Sequence, residues 1–235
     1  MCIRDRAELD SAVTDETAAV IFEPVQAEGG IIVATPEFME GARRICEERG
    51  ALLFFDEIQT GYGRTGRFLA REWFGVAPDA CSLAKGIGGG FPLGAMAVTE
   101  RLAYGLPPGS HASTFGGNPL ACAAGLAVLH IIEEEGLIEN AKRLGMYLAD
   151  RLADLDARLP STAGTRGLGL LQGLVLADDV NPGATISELQ AAGLLLTLAG
   201  GNVIRISPSL NVTKEELDEG LEIVERVLTD PPRKK

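Results

Sequence analysis

The chain has 235 residues, 46% hydrophobic and 23% charged, a length and balance that suit one or two packed domains. Its 21 basic and 33 acidic residues leave a net charge of -12, which repels a phosphate backbone and argues against a nucleic-acid partner. No apolar run approaches the roughly 20 residues of a membrane span, so a soluble, cytoplasmic chain with no membrane partner is expected. The four cysteines, Cys2, Cys46, Cys81 and Cys122, form no C-x-x-C pair, and His111 and His130 have no carboxylate at ligand spacing, so neither a disulfide framework nor a metal site is indicated.

In chain order, "AVIF" ends in Glu23-Pro24 and "ALLFF" ends in Asp56-Glu57, and both read as buried parallel strands with carboxylates at their C-terminal ends. Between them, Thr35 reads as an N-cap with Pro36 at the first helical position. Phe38, Met39, Ala42, Ile45 and Cys46 then recur at helical spacing until Gly50 closes the helix. A third strand, within "DACSLA", leads to Lys85. Ligands of such sheets sit beyond the carboxyl ends of the strands, so Glu23, Asp56 and Lys85 are expected on one edge.

Residues 119–158 read as two helices broken near Gly136. Beyond them come strand-like runs ("GLLQGLVLA", "LLLTLA", "VIRIS"), a hairpin turn at Gly200-Gly201-Asn202, and a capping box at Thr213 and Glu216. The closing "PPRKK" is expected to fray. The predicted organisation is α/β: a parallel-sheet domain over 1–115, linking helices over 116–150 and a smaller α+β domain over 151–235.

Lysine is a nucleophile towards carbonyls when unprotonated, and a dry, cofactor-lined pocket favours that form. Lys85 stands before Gly86, Gly88, Gly89 and Gly90, which permit close backbone approach. A surface lysine before a glycine loop is equally ordinary. Asp56-Glu57 reads either as a strand-end turn or as a carboxylate holding a pyridine nitrogen protonated. Ser113-Thr114 reads as a helix cap or as an anion site. Arg205, flanked by apolar strand residues, is a structural ion-pair partner or a bidentate carboxylate clamp.

Three blocks decide among these readings together: "LLFFDEIQTGYGRTGRFLA", then "LAKGIGGGFPLGA" with the lysine 29 positions after the aspartate, then "GSHASTFGGNPLACAAGLAVL". They resemble the class III, ornithine-type aminotransferases of pyridoxal-phosphate fold type I, most closely the acetylornithine branch, from about residue 8 to about 229. The resemblance implies pyridoxal 5'-phosphate as cofactor and a homodimer. It also implies transfer of the δ-amino group of N2-acetylornithine to 2-oxoglutarate, a step of arginine biosynthesis. Succinylornithine, ornithine and 4-aminobutyrate are the alternative donors.

By the same resemblance Lys85 would carry the cofactor and shuttle the substrate proton. Asp56 would pair with the ring nitrogen and Gln59 with the ring oxygen, with Glu57 and Ile58 completing the ring-side segment. Thr114 would bind the phosphate across the dimer, Ser113 would lie near substrate, and Arg205 would clamp its carboxylate. Glu23 would pair with that arginine and help one site accept two substrates. Family members extend further on the N-terminal side, so the phosphate-cradling loop, a ring-stacking aromatic and a substrate arginine are expected upstream of residue 1. The opening "MCIRDR" does not fit the family pattern and reads as foreign to it. A chain cut there is expected to expose an apolar sheet edge and, alone, to be an inactive fragment.

Overall fold

The computed structural model describes residues 6–234; most of the "MCIRDR" opening, with Cys2, lies outside the described residues. The chain divides into two compact units. The first holds residues up to Pro24, Ala34–Tyr62 and Arg67–Gly136, and the second holds Val25–Val33, Gly63–Gly66 and the chain from Leu137 onward. Two short excursions, nine and four residues long, thus leave the first unit to join the second.

The first unit begins with α1 (Arg6–Ala12) and β1 (Ala19–Phe22), and the next two strands, β2 (Val25–Gln26) and β3 (Ile32–Val33), belong to the second unit. Helix α2 (Pro36–Arg49) forms as its sequence predicts. The Thr35 side chain accepts from Phe38 N, Pro36 needs no partner, and Gly50 takes a left-handed φ of 71° that closes the helix. Strand β4 (Leu52–Asp56) pairs in parallel with β1 on one side and with β5 (Ala80–Leu83) on the other. Strand β6 (Ala95–Val98) joins β5 antiparallel, giving the order β1-β4-β5-β6. Met39, Ala42, Ile45 and Cys46 of α2 pack on Leu53, Phe55 and Cys81, so alternate residues of β4 face this core. Asp56 stands on the opposite face with Leu52 and Phe54. A one-turn helix, α3 (Glu100–Ala103), and the apolar α4 (Pro119–Glu134) complete the unit, α4 being capped by Asn118.

At the other end of this sheet one carboxylate joins three elements. Asp79 is 7% exposed and accepts from Leu53 N at 2.9 Å, Arg43 at 2.9 Å and Arg101 at 2.8 Å. Burial alone would raise this carboxyl, but those donors hold it below the usual range.

The second unit is an antiparallel sheet of β7 (Thr162–Leu168), β8 (Leu171–Leu176), β9 (Thr197–Ala199) and β10 (Val203–Ile206), in the order β7-β8-β10-β9. Its helices are α5 (Leu137–Arg158), α6 (Pro182–Ala191) and α7 (Lys214–Thr229). Leu148, Leu152, Leu217, Leu221 and Val224 of α5 and α7 bury against Leu174, Ile204 and Ile206. Val25, Ala27 and Ile31 of the first excursion bury against Leu171, Ala199 and Val203. The β9–β10 hairpin and the Thr213/Glu216 capping box are both present. The tail does not fray. Asn181 N donates to Pro232 O and Lys234 N to Asp179 O, both at 2.8 Å, and Arg233 pairs with Asp179, because backbone pairing reaches the chain's last described residue.

Candidate functional site

The parallel register sets the first part of the site. Phe22 lies opposite Phe55 and Asp56 opposite Ser82, so Glu23 follows β1, Asp56 closes β4 and Lys85 follows β5, all at the carboxyl ends of neighbouring strands, as the sequence predicts. Asp56 is half-buried, and its Oδ1 accepts from Ile58 N at 2.9 Å, folding the chain back directly after the strand. Gln59 follows in the same turn, half-buried.

Glu57 points the other way. It is 1% exposed, and its carboxylate accepts from the Thr60 hydroxyl, from Ala70 N at 3.0 Å and from Arg71 N at 2.9 Å. Burial pushes the Glu57 carboxyl above the usual carboxylate range against the pull of these donors. The strand alternates faces, so neighbouring carboxylates at 56 and 57 serve opposite sides of the sheet.

Lys85 is exposed and opens a short 3-10 turn, Lys85–Gly88, with φ +49°. The left-handed region costs a residue with a Cβ about 1–2 kcal/mol, and backbone strain of this kind clusters where a side chain must be aimed. Gly89 and Gly90 continue at φ 57° and 105°, so this part of the glycine run is required by the turn itself. A Cβ at Gly89 would also lie 2.8 Å from Val128 of α4, so the helix packs directly on the loop that carries the lysine. The Ser113-Thr114 segment enters the same helix. Both residues are exposed, Ser113 Oγ accepts from Gly116 N at 3.0 Å, and Asn118 caps α4.

Arg205 belongs to the second unit and alternates to the face of β10 opposite the helices. Its Nε donates to Thr197 Oγ1 at 3.1 Å, and its Nη1 pairs with Glu28, from the first excursion. Glu28 is not among the candidate residues marked in the sequence. The two partners are 177 residues apart, and no local pattern marks Glu28. In the second excursion Arg64 donates to Leu170 O at 3.2 Å and to Pro208 O, in the loop that follows Arg205, and burial pulls its guanidinium down to about 10. Among the described residues no group of three or more His, Cys, Asp or Glu is arranged to hold a metal, and no helix is long and apolar enough to cross a membrane.

An aspartate closing β4, a lysine just after the adjacent parallel β5 and a hydroxyl-bearing segment leading into α4 are the arrangement to set beside known proteins. Residues 1–228 match the aminotransferase class-III family, and the chain belongs to it. Its relatives narrow the class. An acetylornithine aminotransferase of Neisseria meningitidis serogroup A is 45% identical over 230 residues, covering 96% of this chain and 57% of that protein. A succinylornithine transaminase of Yersinia pseudotuberculosis is 46% identical over 220 residues, covering 92% and 53%. The fold matches that of ornithine aminotransferase from Toxoplasma gondii, whose active site holds pyridoxal phosphate at partial occupancy, with a TM-score of 0.91 and 34% identity over 97% of this chain and 55% of that one. The chain therefore spans somewhat over half the length of the proteins it matches.

Proposed function

We propose that this chain is the C-terminal part of a cytoplasmic, homodimeric, pyridoxal-phosphate-dependent aminotransferase that moves the δ-amino group of N2-acetylornithine to 2-oxoglutarate. The observation that carries this reading is the placement of both Asp56 and Lys85 at the carboxyl ends of adjacent parallel strands, in a chain 45% identical to an acetylornithine aminotransferase.

The residues fit the cofactor. Asp56 is a half-buried carboxylate at a strand end, suited to hold a proton on a pyridine nitrogen. Lys85 is an exposed amine on a constrained backbone, and Gln59 supplies an amide beside Asp56. Thr114 supplies a hydroxyl for the phosphate and Ser113 a second one towards substrate. When bound, pyridoxal phosphate supplies the electron sink that makes the carbon bearing the donor's amino group acidic. Lys85 Nζ, once freed from the cofactor by the incoming amine, would take that carbon's proton and deliver it to the cofactor as the amino group is transferred. Asp56 would hold the proton on the ring nitrogen.

Arg205 Nη1 and Nη2 present a planar fork to the substrate carboxylate. Glu28 occupies that arginine in the structure, so a substrate carboxylate must displace it, and the same arginine is released or neutralised as the substrate's charge requires. Glu23, at the carboxyl end of β1, remains a candidate for substrate contact on the sheet edge.

A succinylated donor is the second reading, because a succinylornithine transaminase is as similar to this chain as the acetylornithine enzymes are. The test is kcat/KM of the full-length protein for N2-acetylornithine, N2-succinylornithine, ornithine and 4-aminobutyrate with 2-oxoglutarate as acceptor. The highest value is expected for N2-acetylornithine. A value at least tenfold higher for the succinylated donor would transfer the assignment, and no turnover with any of them would end it.

A further inference from the structure

Glu57 has no evident reason to be a carboxylate on stability grounds. A buried charge is costly unless it is paired and hydrogen-bonded, and at 1% exposure this one meets three donors, of which two are backbone amides. What those donors have in common is position. Thr60 closes the turn that begins at Asp56, while Ala70 and Arg71 open the 3-10 turn Ala70–Trp73, which stands ten residues further along the chain. The Glu57 backbone is also spoken for, since its N–H donates to Ser82 O at 3.0 Å and its carbonyl accepts from Gly61 N at 2.9 Å. The Glu57 N–H thus ties residues 56–61 to β5, its carboxylate ties them to the 3-10 turn, and its bonds from Thr60 and Gly61 close the segment on itself. The Arg71 charge draws the carboxyl down, and the Cys81 thiol, pushed up mainly by its own burial, feels the Glu57 charge too.

We infer that Glu57 is a positioning residue, whose side chain fixes the 56–60 turn from beneath the sheet so that Asp56 and Gln59 are presented to the cofactor on its other face. This rests on the reading of Asp56 given above, and it replaces the ring-side role expected for Glu57 from the sequence. The geometry favours a carboxylate over an amide, because both oxygens accept from N–H or O–H donors. An amide at 57 would set its own N–H₂ against one of them.

The test is a double-mutant cycle on pyridoxal-phosphate affinity in the full-length protein, read by cofactor absorbance and fluorescence, with the melting temperature of the cofactor-free protein alongside. Glu57→Gln should weaken cofactor binding about tenfold while the cofactor-free melting temperature stays within a few degrees. Asp56→Ala should weaken binding at least as much, and Glu57→Gln added to Asp56→Ala should weaken it less than about twofold more. Thr60→Val, which removes one donor and leaves the carboxylate, should show a smaller loss of the same kind, and it serves if the Glu57 variant fails to fold. An unchanged affinity in both Glu57→Gln and Thr60→Val would overturn the inference, as would an equal loss in the Asp56→Ala background. If Asp56→Ala itself leaves affinity unchanged, the reading of Asp56 fails and takes the inference with it; an effect of Asp56→Ala beside silent Glu57 and Thr60 variants sinks the inference alone.

Discussion

Arg205 is the side chain proposed to clamp the substrate carboxylate. Its stem lies in the sheet, its side chain is 15% exposed, and its fork is held by Thr197 and by Glu28, whose own side chain is 64% exposed. An ion pair with one partner so open to water contributes about 0–1 kcal/mol, so an arriving carboxylate displaces Glu28 at little cost. Glu28→Gln should therefore lower the KM for 2-oxoglutarate by no more than about fivefold. Arg205→Lys keeps the charge but loses the fork. At about 1.5–3 kcal/mol for a charged hydrogen bond and 1.4 kcal/mol per decade, KM for both amino donor and 2-oxoglutarate should rise roughly 10- to 100-fold. Steady-state kinetics on both substrates checks this, and unchanged KM values would remove Arg205 from the site.

Elements are held in place by a few long-range polar contacts, and Asp79 is the clearest of them, joining α2, β4 and α3 through Arg43, Leu53 N and Arg101. Asp79→Asn should cost about 1.5–3 kcal/mol, the worth of a charged hydrogen bond. Because the folded carboxyl is held below its unfolded range, its contribution is complete above about pH 4, near the ordinary aspartate pKa. It fades as pH falls through the lower folded value. Urea unfolding between pH 7 and pH 3 should show a shallower acid loss in the variant than in the parent. Parallel curves would mean that Asp79 does not stabilise the fold through its charge.

What the sequence disclosed at this scale were the local devices. Thr35-Pro36 and Gly50 bound α2, Gly200-Gly201 turns the hairpin, and Thr213 with Glu216 opens α7, each within a few residues of its partner. Two features lay beyond local reading. Strand β6 is exposed for most of its length, so "AMAV" carries no alternation to mark its antiparallel pairing. The excursions at 25–33 and 63–66 owe their place to partners such as Ile31 with Val203 and Arg64 with Leu170, contacts more than 100 residues apart in sequence. The same limit applied at the site: Lys85 and Asp56 were legible as strand-end groups, whereas Glu28 and the inward turn of Glu57 depend on tertiary pairing.

At the scale of the molecule, the first unit keeps large apolar side chains in water, with Ile21 67%, Tyr104 82% and Phe115 81% exposed. Exposed apolar surfaces of this kind mark contacts with further protein, which fits the proposal that this chain is part of a longer, dimeric enzyme. Phe115 adjoins Thr114, so the segment proposed to reach the phosphate also carries one of these faces. Lys85 is proposed to carry the cofactor, and borohydride reduction of the full-length protein loaded with pyridoxal phosphate, followed by peptide mapping, reads this out. Of the five lysines in this chain, Lys85 alone should bear the pyridoxyl mass, and Lys85→Ala should abolish that label. A label on Lys142 or Lys214 with Lys85 unmodified would show that another lysine carries the cofactor.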